Sequence, residues 1–177
     1  MKPADEKKLV EACLRSEALA QKALYDHFSP QLLGFCMRYA NSREDGEDIM
    51  IEGFTKIFAH LSEFRFDSSL VAWMKRIMLN TAISHLRQNH KHYNNIPLED
   101  VSENTCDSLQ TLPTDKLQEK DFLALFQQMP ELYRVIFNLH VIEGYSHKEI
   151  GEMLEIREST SRSNLTRARN WLKERLS

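Results

Sequence analysis

Glycine and proline are scarce, with five of each in 177 residues. Phosphate-binding loops need several glycines within one turn, and these five form no such pattern; an HExxH pair and a nucleophile-base spacing are also missing. No long Val/Ile/Thr alternation marks a sheet, so the expected fold class is all-α. Three cysteines, Cys13, Cys36 and Cys106, are widely spaced and form no CxxC pair, which excludes a disulfide framework and a thiolate zinc site. They read as plain thiols in a reducing compartment. No apolar run reaches the ~18 residues of a membrane helix, and the first ten residues hold no signal core. A soluble, unexported, cytoplasmic protein without membrane insertion is expected. A surplus of positive charge is lacking too. The net charge of −3 and a pI of about 6.2 argue against a uniformly basic nucleic-acid coat, for which a pI above about 9 is usual. Any affinity for nucleic acid requires segregated charge.

The charge is segregated. Residues 41–52 carry five acids (Glu44, Asp45, Glu47, Asp48, Glu52) against Arg43, whereas residues 68–98 contain no acid and four cations, Lys75, Arg76, Arg87 and Lys91. Residues 96–121 turn acidic again, and residues 157–175 hold six basic residues against Glu158 and Glu174. The second acidic block lies in a stretch with Pro97, Pro113 and many Asn, Ser and Thr but no sustained apolar period, the signature of a linker. Two small helical domains, 1–93 and 119–177, joined by a flexible acidic linker, 94–118, are therefore expected.

In the first domain, residues 4–40 read as two or three helices broken at Ser29-Pro30, where serine caps and proline occupies a first turn. Ile49, Gly53, Phe54, Ile57, Phe58 and Leu61 recur at helical spacing behind the acids. Two readings of those acids stand: favourable placement at the positive end of a helix dipole, or a helix that presents acids and a few apolar residues to a basic partner. The polar loop 62–69 carries Phe64, Arg65 and Phe66. It precedes a basic helix with Trp73, Lys75, Arg76 and Asn80. Aromatics beside cations suit single-stranded DNA, where rings stack on bases and cations neutralise phosphates; equally, Trp73 at helical spacing with Ile77 suits a core, and the phenylalanines suit a loop anchor. His85, His90 and His92 lack neighbouring carboxylates or thiols, so no metal site, cofactor or catalytic residue is expected.

In the second domain Pro130 opens a helix that Gly144 can end. Ser146-His-Lys-Glu149 has the form of a capping box. Ile150, Leu154, Ile156, Leu165 and Ala168 have the spacing of two helices crossing at a tight turn, a helix-turn-helix. The outer face of its second helix, with Arg157, Glu158, Ser159, Arg162, Ser163 and Arg167, suits a major groove, where arginine reads guanine and serines hold phosphates. Glu155 occupies the turn position that favours glycine, so a less tight turn is expected.

Taken in order, Ala23-Leu-Tyr-Asp-His-Phe-Ser-Pro30, Asn41-Ser-Arg-Glu-Asp-Gly-Glu-Asp48 with Glu52-Gly-Phe54, Phe64-Arg-Phe66, Trp73-Met-Lys-Arg-Ile-Met-Leu-Asn-Thr81, Tyr145-Ser-His-Lys-Glu-Ile150, Thr160-Ser-Arg-Ser163 and Leu165-Thr-Arg-Ala-Arg169 resemble the extracytoplasmic-function sigma factors of bacterial RNA polymerase, compact members of the sigma-70 family. The resemblance implies a non-enzymatic transcription initiation factor with a region 2-like and a region 4-like domain. It implies that Asp45, Glu47, Asp48, Glu52 and Phe54 dock on the clamp helices of the beta-prime subunit. Phe64, Arg65, Phe66, Trp73, Lys75, Arg76 and Asn80 would recognise and melt the minus-10 element, and Arg157, Glu158, Ser159, Thr160, Arg162, Ser163, Arg167 and Arg169 would read the duplex minus-35 element. A linker threaded toward the RNA exit path, contact with the beta flap and an anti-sigma partner are further implications. Two positions depart from the family pattern: Gly46 stands where alanine is usual, and Ser161 where the recognition helix commonly has an apolar residue. An autonomous helix-turn-helix regulator is the alternative, distinguished by tight promoter binding without polymerase.

Overall fold

The apolar periodicity of the first domain closes on itself in four helices. The structure, a computed structural model, describes residues 3–89 and 124–176; the linker 94–118, His90, His92 and Cys106 lie outside the described residues. Every regular element among the described residues is helical: α1 (Pro3–Leu14), α2 (Ala18–Cys36), α3 (Arg43–His60), a 3-10 turn (Leu61–Glu63), α4 (Leu70–Asn89), a short stretch at 124–127, α5 (Glu131–Phe137), a π turn (Asn138–Ile142), α6 (His147–Leu154) and α7 (Glu158–Leu176). The chain divides into two units, Met1–Leu86 and Arg87–Ser177.

In the N-terminal unit α2 packs against α1 and α3. Ala20, Leu24, Phe28, Leu32, Phe35 and Cys36 form one buried stripe along α2, and that stripe runs straight through Pro30. The expected break at Ser29-Pro30 does not occur. Proline inside a helix forfeits one hydrogen bond and costs about 3 kcal/mol, but Pro30 is exposed and the flanking side chains all bury on the same face, so packing prevails. The break falls earlier, at Ser16, whose φ is 60°. Cys13 and Cys36 are buried free thiols. Burial pushes Cys36 up to about 12, which keeps it protonated and unreactive.

The C-terminal unit builds its core from Leu132, Val135, Ile136, Leu139, Ile150, Leu154, Leu165, Ala168 and Leu172, with α5 and α6 both packed on α7. Pro130 and Gly144 bracket the first helix as expected. Its last part, however, widens into the π turn, with Glu143 N–H donating to the Asn138 carbonyl at 2.9 Å. The capping box forms: Glu149 N–H donates to Ser146 Oγ at 3.3 Å and Ser146 N–H to Glu149 Oε2 at 2.8 Å. The Ser146 hydroxyl, which donates to Glu149 Oε2 at 2.7 Å, and then the Ser146 N–H hold the Glu149 carboxyl below the usual carboxylate range.

Candidate nucleic-acid interface

Three surfaces hold the residues singled out in the sequence. The first is α3. Ser42 caps it by accepting from Asp45 N–H at 3.1 Å, which fixes where the acidic turn begins. Glu47 pairs with Arg43 at 2.8 Å and Glu52 with Lys56 at 2.7 Å, both across one helical turn. Asp48 is exposed and, among the described residues, has no ion pair. Ile51, exposed at 55%, stands among these acids; helical periodicity did not single it out, because it lies off the apolar stripe. Phe54 is absent from this surface. It is buried, with its ring 4.6 Å from Tyr25, so its role is to seat α3 on α2. A Cβ at Gly46 would lie 2.5 Å from Met37 Sδ, on a flexible side chain that would have to shift.

The second surface joins loop 64–69 to α4. Phe64 is buried, and two rings lean on it, Phe66 at 4.8 Å and Trp73 at 5.5 Å between centroids. Phe64 is thus the floor of an aromatic cluster, and Phe66, 43% exposed, is its accessible rim. Phe66 has a φ of 58°, a left-handed conformation that costs an L-residue on the order of 1–3 kcal/mol and often marks a functional segment. On α4, Leu70, Met74, Met78, Leu79, Ala82, Ile83 and Leu86 are buried, while Trp73 and Ile77, whose spacing suited a core, are only half-buried. Arg65, Arg76 and Asn80 are exposed; Arg65 lies between Phe64 and Phe66 in the loop, and Arg76 and Asn80 follow Trp73 at helical spacing. Lys75 lies elsewhere, half-buried with its ammonium 5.9 Å from the Phe35 ring, because two residues, about 200° of helical rotation, separate it from Trp73 and about 100° separates it from Arg76. Between α3 and α4, Lys56 donates to the buried Thr81 hydroxyl at 3.3 Å, and Thr81 donates to the Ile77 carbonyl at 2.9 Å.

The third surface is α7. The turn before it is tight, contrary to expectation: Glu155 takes φ 57°, ψ 39°, adopting the left-handed conformation normally left to glycine. Ile156 N–H closes it on the Gly151 carbonyl at 3.0 Å. Gly151 makes the approach possible, since a Cβ there would sit 2.9 Å from the Ile156 carbonyl oxygen. Arg157, Glu158, Ser159 and Arg162 are exposed, and Thr160, Ser163, Arg167 and Arg169 are half-buried on α7 or at its start. Arg162 is paired with Glu158 one turn away, an exposed contact of about 0.3–0.5 kcal/mol that a phosphate or base can displace.

Ser161, the departure from an apolar residue, is fully buried and shares a hydrogen bond with His147 Nδ1 at 2.9 Å. The His147 ring stacks on His140 at 4.2 Å with 14° between planes, and His140 Nδ1 donates to the Tyr145 carbonyl at 2.8 Å. Burial, with His140 and Arg162 next, lowers the His147 pKa. A polar thread therefore ties the π turn, α6 and the recognition helix together where an apolar contact was expected.

Known proteins match this arrangement. A family model for sigma-70 region 2 matches residues 24–92, and one for sigma-70 region 4 matches residues 119–172, together more than half of the chain. The chain is 27% identical to the RNA polymerase sigma-H factor of Pseudomonas aeruginosa, over 93% of this chain and 90% of that one. It is 26% identical to the ECF RNA polymerase sigma-E factor of Haemophilus influenzae, over 95% and 93%. The solved complex of the sigma factor RpoE with the anti-sigma factor NepR from Bartonella quintana aligns over 86% of this chain and 94% of that one, at 22% identity and a TM-score of 0.49. Among the described residues no helix is long and apolar enough to cross a membrane. With a region 2 unit bearing the aromatic cluster and a region 4 unit bearing the helix-turn-helix, the chain belongs to the sigma-70 family, in its extracytoplasmic-function group, and is an initiation factor that directs RNA polymerase to promoters.

Proposed function

We propose that the three surfaces divide the work of promoter selection. The outer face of α3, with Asp45, Glu47, Asp48, Glu52 and the exposed Ile51, docks on the beta-prime clamp helices of bacterial core polymerase. Acids steer association with a basic surface, and an apolar residue at the centre of such a patch adds desolvated contact. Phe66, Trp73, Arg65, Arg76 and Asn80 hold an unstacked base of the minus-10 non-template strand, with Phe64 supporting them from below. Arg157, Glu158, Ser159, Thr160, Arg162, Ser163, Arg167 and Arg169 face the minus-35 duplex. Val141 and Ile142, adjacent and more than 40% exposed on the π turn, suit an apolar contact with the beta flap. An anti-sigma partner, the cytoplasmic location and the absence of bond-making chemistry or a cofactor belong to the same proposal.

The observation that carries it is the exposed Phe66 ring held at positive φ on the buried Phe64. Melting needs selective binding of the unpaired state and no bond cleavage by the factor, and stacking on such a ring supplies about 1–3 kcal/mol per base. The test is transcription in vitro with purified core polymerase on a promoter library. Promoter-specific initiation is expected, and its absence with a folded protein would refute the proposal. Asp48→Lys should weaken polymerase association about tenfold or more through like-charge repulsion with unchanged helical content; unchanged association would remove α3 from the docking surface. Tight promoter binding by the free chain would favour the autonomous regulator.

A further inference from the structure

The aromatic cluster receives a cation from outside both its loop and the basic helix. Lys7, exposed on α1, places its ammonium 5.9 Å from the centroid of the Phe66 ring, within the range of a cation-π contact. The placement follows from the fold, because α1 packs against the 3-10 turn Leu61–Glu63 that leads into the loop. Phe66 therefore has the buried Phe64 on one flank and a positive charge from a segment nearly 60 positions earlier near its face. An exposed ammonium gains little from a ring in water. A long flexible ammonium beside a ring that stacks a nucleobase can instead pair with a phosphate of the same strand.

We propose that Lys7 is a nucleic-acid contact: it neutralises a phosphate of the unpaired strand next to the base held on Phe66. This rests on the single-strand reading of the cluster given above. A phosphate contact carries no base information, so Lys7 contributes affinity and salt dependence while Phe66, Trp73 and Asn80 carry selectivity. The helix α1 thereby becomes the outer wall of the single-strand site. Arg65 and Arg76 supply charge from the loop and from α4, and Lys7 supplies it from the side of Phe66 that neither element covers in sequence.

The experiment uses the full chain assembled with core polymerase. Its probe is a fluorescent fork-junction DNA whose unpaired strand is the minus-10 region of a promoter selected by that holoenzyme, titrated at several salt concentrations. Lys7→Gln is expected to weaken binding about 3- to 10-fold and to reduce the salt slope by about 0.7, the value for one phosphate contact on a single strand. The loss should be the same whichever base is unpaired, and Lys7→Arg should restore binding. Affinity and slope equal to wild type in Lys7→Gln, or a loss confined to one base, would overturn the inference. Phe66→Ala and Arg76→Ala separate it from the reading beneath it. If they weaken fork binding and Lys7→Gln does not, only the role of Lys7 fails. If none of the three changes it, or wild-type holoenzyme does not bind the fork, the single-strand reading fails as well.

Discussion

The two surfaces proposed to face DNA are built from different chemistry. In the N-terminal unit the accessible groups are a strained aromatic rim, Phe66 and Trp73 over Phe64, with a few cations beside it. In the C-terminal unit the corresponding face of α7 has no aromatic residue from Arg157 to Arg169; arginines and hydroxyls fill it. An unpaired base offers a π-face and a flexible backbone, whereas a duplex hides its faces and offers groove edges and phosphates. The scaffolds differ accordingly. The aromatic rim sits on a loop that Phe64 and Trp73 of α4 support, while α7 follows the capped helix α6 through the left-handed Glu155 and a hydrogen bond between His147 and buried Ser161. On the proposed division of work, the strained loop lies where DNA is melted and the capped helix-turn-helix where it is read as a duplex.

Each unit carries one tryptophan, Trp73 and Trp171, so the comparison can be tested unit by unit through fluorescence-monitored unfolding of single-tryptophan variants. The largest expected stability effect is Gly151→Val. Its Cβ would meet the Ile156 carbonyl oxygen at 2.9 Å, and backbone yields less readily than a side chain. A loss of about 3 kcal/mol is expected, seen by Trp171 with the Trp73 transition unmoved. A loss shared equally by both probes would show that the units do not unfold separately.

A smaller effect is expected from pH. His147 has its pKa lowered, first by burial, then by His140 and Arg162, with Arg169 adding to this and Glu158 opposing it. The unfolded chain takes up that proton near pH 6.5, and the folded chain only at lower pH. The unfolded state thus binds more protons in that window, and stability of the C-terminal unit falls as pH drops below about 6.5 until the folded ring is itself protonated. His147→Gln should flatten this part of the Trp171 profile. An unchanged slope in that variant would place the pH dependence elsewhere.

What was readable from sequence was largely local. The capping box, the helix limits around Gly144 and Glu158, and the division into two helical units rest on residues three or four apart or on composition, and the structure contains them. Features decided by long-range packing were not readable. Pro30 continues a helix because distant side chains bury its flanks, and Glu155 adopts the left-handed turn because α6 and α7 must cross. Helical spacing marked Phe54 and Trp73 as core candidates, and Phe64 and Phe66 stood out as loop aromatics, but which of them faces solvent depends on neighbours such as Tyr25. Lys75 and Arg76 look equivalent in a charge map, yet one residue of helical rotation puts Lys75 against Phe35. Ile51 and Lys7 carried no sequence signal. Ile51 is a single apolar residue off the stripe, and Lys7 reaches the aromatic cluster only through the packing of α1.

The central claim is that the N-terminal surface binds unpaired DNA and the C-terminal surface binds paired DNA. The most direct measurement is the affinity of wild-type, Phe66→Ala and Arg162→Ala holoenzymes for two probes, a single-stranded minus-10 oligonucleotide and a duplex minus-35 fragment. A crossed pattern is predicted, with Phe66→Ala losing about 1–3 kcal/mol on the single strand alone and Arg162→Ala losing about 1–3 kcal/mol on the duplex alone. Equal losses on both probes for either variant, or the reverse pairing of variant and probe, would contradict it.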